Sequence, residues 1–218
     1  MKRLAFHLSS TSFPLLVVTT LLACGSAATL PDMSSTGNDL SMRAGDYPAG
    51  PYGTGQGSVI DDLVLSGRRE ANGDGITDGK DPMVMIRLRD YYANKKVKAL
   101  FVDVSAEWCG PCKAAQPALK ALFADYTAKG GKVAFLEGVV QNNAKQPADL
   151  GVIDRWATAY KLPFDMTPDP DRVLGPYYNE NAFPTEFVIR TRDMSIVWLK
   201  NGAMVEEAKA QIDAVLAQ

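Results

Sequence analysis

The stretch SAEWCGPCKAAQP, Ser105 to Pro117, holds two of the three cysteines in the chain. Just before it, VKALFVDVSA (97–106) is a continuous apolar run rich in β-branched residues, which predicts a buried central strand. After it, a helix is expected from Cys109 or Gly110 through KAAQPALKALFADYTAKG. Ala115, Leu119, Leu122, Phe123 and Tyr126 fall on one face of that helix. Pro117 should kink it, and Gly130 with Gly131 should end it. The cysteine pair therefore stands where a buried strand gives way to a helix.

A Cys-x-x-Cys pair is half of a metal site or a dithiol that cycles with a disulfide. Zinc takes about four ligands, and the sequence offers no second cysteine pair to complete such a set. Its one histidine, His7, lies in the N-terminal segment. The same shortage excludes Ser-His and Cys-His catalysis. A passive structural bridge fits poorly, since a loop with two intervening residues removes little unfolded-chain entropy. The dithiol reading is the one left with support. At a helix start, unpaired N–H groups and the dipole favour a thiolate. A thiol pKa lowered toward ~7 would make Cys109 a nucleophile at ambient pH. Cys109 is expected to be exposed. Cys112, one turn on, should be shielded and placed to resolve the mixed disulfide that Cys109 forms. Pro111 loses little by lacking an N–H in the first turn.

Other runs complete the plan. SVIDDLVLSG (58–67) and PMVMIRL (82–88) read as a hairpin, LRDYYAN as a short helical turn, KVAFLEGVV (132–140) as a strand and 147–161 as a crossover helix. TEFVIR and SIVWLK form a second hairpin, and VEEAKAQIDAVLA closes the chain as a helix. The order gives an α/β fold, a central mixed sheet flanked by helices.

AEWCGPCKAAQP resembles the active site of thioredoxin, and FPTEFVI resembles the second signature of that family. The likeness covers about residues 84–218. It implies a cis Pro184 against the cysteine pair, and a Phe183 backbone offered to an extended substrate. It makes Asp103 a buried acid that takes the proton of Cys112, and Gly202 a substrate-facing glycine. Trp108 and Gly110 would border the substrate; packing alone is the plainer role for Trp108, as a partly solvated edge position is for Asp103. The added N-terminal hairpin and helical insertion are similar to the TlpA/ResA-like branch. Where minimal thioredoxins carry a lysine on the strand after the active-site helix, this chain has Phe135. Glu137 is either a second buried carboxylate or an exposed strand-end acid. No cofactor is implied.

Residues 1–23 read as a secretory signal, with Lys2 and Arg3 ahead of a short apolar run. LLAC (21–24) resembles a lipoprotein lipobox, which would make Cys24 a lipidation site. Residues 24–57, rich in Gly, Ser, Asn and Pro, read as a flexible tether, leaving 58–218 as the domain. Lacking the first 23 residues, the chain has 21 bases against 25 acids, a formal charge of −4, which argues against nucleic acid as a partner. EANGDGITDGKD (70–81) places Glu70, Asn72, Asp74, Asp78 and Asp81 at calcium-loop spacing; Asn-Gly and Asp-Gly are equally turn chemistry. The expectation is a lipid-anchored, periplasm-facing reductase of exported disulfide-bonded proteins. It would draw electrons from a membrane thiol donor, and the outer membrane is favoured by Gly25. An oxidase or isomerase using the same residues is one alternative. A surface binding module with a vestigial pair is another.

Overall fold

The computed structural model describes residues 47–218. The signal, the lipobox with Cys24, and the tether as far as Asp46 lie outside the described residues. Seven strands form one sheet in the order β2-β1-β5-β4-β3-β6-β7. They are β1 (Val64–Arg68), β2 (Met83–Arg87), β3 (Ala99–Ala106), β4 (Val133–Gln141), β5 (Asp165–Thr167), β6 (Thr185–Arg190) and β7 (Ser195–Asn201). The helices are α1 (Leu88–Ala93), α2 (Gly110–Ala128), α3 (Leu150–Tyr160) and α4 (Val205–Leu216). The mixed sheet with flanking helices is the thioredoxin-like architecture expected. Among the described residues no helix is long and apolar enough to cross a membrane.

Every residue of β3 is buried, as its unbroken apolar run requires. It pairs in parallel with β4 and antiparallel with β6, so it holds the sheet centre and aims its C-terminal end at α2. Helix α2 starts on Cys109 and has Pro111 in its first turn. It runs on through Pro117, which faces solvent, and gives way to Gly130 and Gly131, both at positive φ. Phe135 packs with Phe101, Phe123 and Phe164 at ring-centroid distances of 5.2, 5.3 and 5.7 Å. An aromatic cluster between α2 and the sheet thus stands at the position where minimal thioredoxins have a lysine.

Two features differ from the sequence expectation. Strand β5, at three residues, is too short to show a period. It joins the N-terminal hairpin to the main sheet, pairing with β4 on one side and β1 on the other. Residues 47–57, placed in the tether by composition, lie on the domain. Gly57 N–H donates to Ile196 O at 2.8 Å, and the Tyr47 hydroxyl donates to Ile60 O at 3.1 Å. The contact covers the β7 edge, whose open hydrogen-bonding groups would otherwise invite strand pairing.

Candidate active site

Cys109 and Cys112 form a disulfide with Cα atoms 5.3 Å apart. Cys109 is the N-cap of α2, and its Sγ accepts the Cys112 backbone N–H at 3.1 Å. An N-cap acceptor satisfies a helix-end donor. When this acceptor is the attacking sulfur, the same N–H steadies a thiolate. Contrary to the expectation of an exposed Cys109, both cysteines are buried in this oxidised form, at 3 % and 0 % exposure. The physical reason is the bond itself, which holds Cys109 Sγ against the fully buried Cys112. The Trp108 ring meets Phe183 edge-on at 5.9 Å, and Tyr178 packs on Phe183 at 5.5 Å. Gly110 is exposed beside them, and a Cβ there would meet nothing within 4 Å. Its lack of a side chain leaves open surface next to Cys109 and answers no packing demand.

The Phe183–Pro184 peptide is cis. The aromatic contact between Phe183 and Trp108 brings this loop to the cysteine end of α2. Gly202, at φ +100°, donates its N–H to Pro184 O at 2.7 Å. The loop after β7 is thereby tied to the cis-proline loop, and the positive φ explains the glycine. Trp108 is further fixed by its Nε1–H, which donates to Gln141 Oε1 at 2.8 Å, and by Lys145 Nζ, 4.6 Å from its ring centroid. The structure thus gives Trp108 a held orientation at the partly exposed edge of the site.

Beneath the helix lie buried acids. Asp103 is 2 % exposed and Glu137 is fully buried, which settles Glu137 as an interior carboxylate and removes the exposed reading of both. The Ser105 hydroxyl donates to Asp103 Oδ2 at 2.6 Å. Burial pushes the Asp103 carboxyl up to about 7 against the pull of Ser105 and Gln116. Glu137 is raised well above the usual range by burial and then by the charge of Asp103. Its Oε1 accepts from Trp156 Nε1 of α3 at 2.6 Å and from Gln116 Nε2 of α2 at 2.9 Å.

Sequence reasoning passed over three residues here. Gln116, four residues after Cys112, donates to both the Cys112 carbonyl and Glu137, and so links the active-site helix to the acids. A polar residue on the buried face of α2 was the signal for it. Glu107, 8 % exposed, accepts from Arg155 and from Asn143 N–H and pins the residue before Trp108. Glu186 is fully buried beside Asp103.

Polar side chains of the 70–81 loop bond to the loop's own backbone and to Lys80. Asp81 accepts the N–H groups of Ala71, Asn72 and Asp78, while Glu70 accepts those of Gly73 and Gly75. Asn72 accepts the Asp74 N–H. Asp74 and Asp78 pair with Lys80. Among the described residues no group of three or more His, Cys, Asp or Glu side chains is placed to hold a metal ion. In this structure the loop has the side chain-to-backbone bonds of turn chemistry.

The comparisons agree with this geometry. A thioredoxin family model matches residues 89–154. The thiol-disulfide oxidoreductase ResA of Oceanobacillus iheyensis is 27% identical over 93 residues, 43% of this chain and 44% of that protein. A Streptomyces clavuligerus thioredoxin is 36% identical over 59 residues, 27% of this chain and 51% of its own length. The matched stretches span about half the length of these curated relatives. The crystal structure of a Chlorobium tepidum protein assigned as the thiol:disulfide interchange protein DsbE superposes with a TM-score of 0.53 at 23% identity, covering 74% of this chain and 98% of that one. The chain shares the thioredoxin-like fold, matches the thioredoxin family model over residues 89–154, and is similar to the thiol-disulfide oxidoreductase ResA.

Proposed function

We propose that this protein is a thiol–disulfide oxidoreductase of the cell envelope that reduces disulfides in exported proteins. The observation that carries the reading is the pairing of Cys109 Sγ with the Cys112 N–H at the start of α2, above a buried Asp103. In the reduced protein the Cys109 thiolate, steadied by that N–H, attacks one sulfur of a substrate disulfide. A mixed disulfide forms and the other substrate sulfur leaves as a thiolate. Cys112 then gives its proton to the Asp103 carboxylate and attacks Cys109 Sγ. The second substrate thiolate leaves, and the pair returns to the disulfide seen here. Two electrons pass to the substrate; one leaving thiolate takes the Cys112 proton by way of Asp103, and the other takes its proton from solvent. A membrane thiol carrier restores the dithiol.

Trp108 and Phe183 supply the apolar platform, and the Phe183 backbone receives an extended segment of the substrate. Cys24, acylated, holds the domain to the membrane, with the outer membrane as its site. Cys24→Ser should leave an unlipidated precursor whose N-terminal mass chemistry differs from the parent's; the same chemistry in both would overturn the anchor. The Gly-Pro pair between the cysteines belongs to the reducing end of the family, so the direction is tested by the reduction potential of the couple. A value near ~−270 mV supports a reductase, and one near ~−120 mV makes the protein an oxidase.

A further inference from the structure

Among the described residues, four of the five buried side-chain oxygens without a partner gather in one place: Asp103 Oδ1, Glu137 Oε2, Glu186 Oε1 and Gln116 Oε1; the fifth is Thr77 Oγ1. The strand register explains the cluster. Asp103 on β3 lies opposite Glu137 on β4 and opposite Glu186 on β6. Residues in lateral register share a sheet face, and neighbouring strands lie about 4.8 Å apart. Three carboxyls therefore stand in a row with Asp103 in the middle. Each has one oxygen engaged and one free. Ser105 holds Asp103, Trp156 and Gln116 hold Glu137, and the Met204 N–H donates to Glu186 Oε2 at 2.9 Å. Three buried carboxylates this close cannot all be ionised, and they lose their protons as a coupled set.

Asp103 enters the function proposed above; Glu186 does not. It follows Pro184 by two residues and is tied to Met204, so it joins the acid row to the loop that carries Gly202. We propose that Glu186 is a positioning residue of thiol–disulfide exchange: its carboxyl holds a proton beside Asp103 and sets when Asp103 is free to take the proton of Cys112. The inference rests on the proposed function. In the resolving step the Cys112 proton passes to Asp103, the S–S bond closes on Cys109, and the departing substrate thiolate takes up the proton. The row stores neither proton nor electron across the cycle. While Glu186 is a neutral acid, Asp103 can be an anion; a Glu186 carboxylate would hold a proton on Asp103.

The surroundings suit a neutral Glu186. The charged groups facing it are Asp103 from β3 and Glu207 from α4, both repelling its anion, with Glu137 one strand further out. Its register partner on β7, Lys200, is exposed. Burial, then the charge of Asp103, pushes the Glu186 carboxyl up to about 8.

The test is the pH profile of mixed-disulfide resolution, measured by rapid mixing with insulin as the disulfide substrate. Glu186→Gln keeps an acceptor for the Met204 N–H but can no longer ionise. In the coupled row the first anion is shared between Asp103 and Glu186; with Gln at 186 it falls wholly on Asp103, so the profile should shift to lower pH, and the same substitution in an Asp103→Asn background should give no shift, because the effect acts through Asp103. A superimposable profile, a uniform loss of rate with unchanged shape, or an equal shift without Asp103 would each overturn the proposal. A measurement independent of that variant is the infrared carbonyl band of protonated carboxyls in Asp103→Asn/Glu137→Gln, where Glu186 is the sole acid of the row. The band should persist at pH 7 and shift on isotopic exchange, and its absence overturns the proposal. If the parent reduces no disulfide, the proposed function falls, while the infrared band still decides whether Glu186 holds a proton.

Discussion

Cys109 Sγ, the Cys112 N–H and Asp103 give the site its direction. The helix end offers its donors to the first sulfur alone, so the two thiols are unequal by construction. The acid beneath belongs to the later step, because the proton that must move in resolution is on Cys112. Asp103→Asn should therefore slow resolution of the mixed disulfide tenfold or more, by the ~10²–10⁴ scale of general-base contributions, and leave the first attack nearly unchanged. Stopped-flow separation of the two phases checks this; equal slowing of both would take Asp103 out of the proton path. Asp103 was legible in the sequence because it is the lone charged residue in the apolar run ALFVDVSA. Glu186 was not, since TEFVIR carries no mark of which strand it will face. Only the register places it beside Asp103. The burial of Cys109 was equally hidden, because CGPC does not say whether the pair is bonded, and the bond holds Cys109 against the buried Cys112.

Among the elements, β5 does the most with the least length. Asp165 on this strand accepts from Arg69 through two guanidinium nitrogens, Nε at 3.0 Å and Nη2 at 2.7 Å, and from the Tyr91 hydroxyl. The hairpin β1–β2, α1 and the main sheet meet on one carboxylate. Breaking a fully buried pair costs ~3–5 kcal/mol; with the Arg69 side chain 44% exposed, Asp165→Ala should cost about 2 kcal/mol. Urea denaturation measures the loss. Amide exchange should show β1 and β2 losing protection before β3 and β6. Uniform loss across the sheet would mean that β5 is not the joint. The long strands and helices were readable from their periods because each buries one face continuously. A three-residue strand has no period, and its pairing is decided by neighbours on both sides.

For the whole molecule, the acid row links stability to pH. Unfolded carboxyls titrate near ~4. Folded Asp103 titrates at about 7 and Glu186 at about 8, and Glu137 is raised well above its usual range. The folded state therefore holds more protons than the unfolded state between these limits. The row's contribution is fully present below ~4 and is lost as pH rises through 7 to 8. Asp193 and Asp213, held low in the folded state, work the other way, but only in acid below ~4. Denaturation midpoints should thus fall from pH 5 to pH 8. Asp103→Asn should flatten that slope and stabilise the protein at pH 8 by on the order of 1–3 kcal/mol. A midpoint independent of pH would mean that the row is not protonated when folded.

The central claim is that Cys109 attacks and Cys112 releases. Capture of mixed disulfides by single-cysteine variants tests it most directly. Cys112→Ser leaves the attacking sulfur and removes the resolving one, so it should accumulate covalent adducts with exported proteins, cleaved by added reductant. Cys109→Ser should trap almost nothing, because Cys112 lies inside the first turn of α2 and lacks the N-cap position at which an N–H steadies the Cys109 thiolate. Equal trapping by the two variants would contradict the assigned order. If neither variant traps a partner and the parent reduces no disulfide, the account of this site as a dithiol exchange centre is wrong.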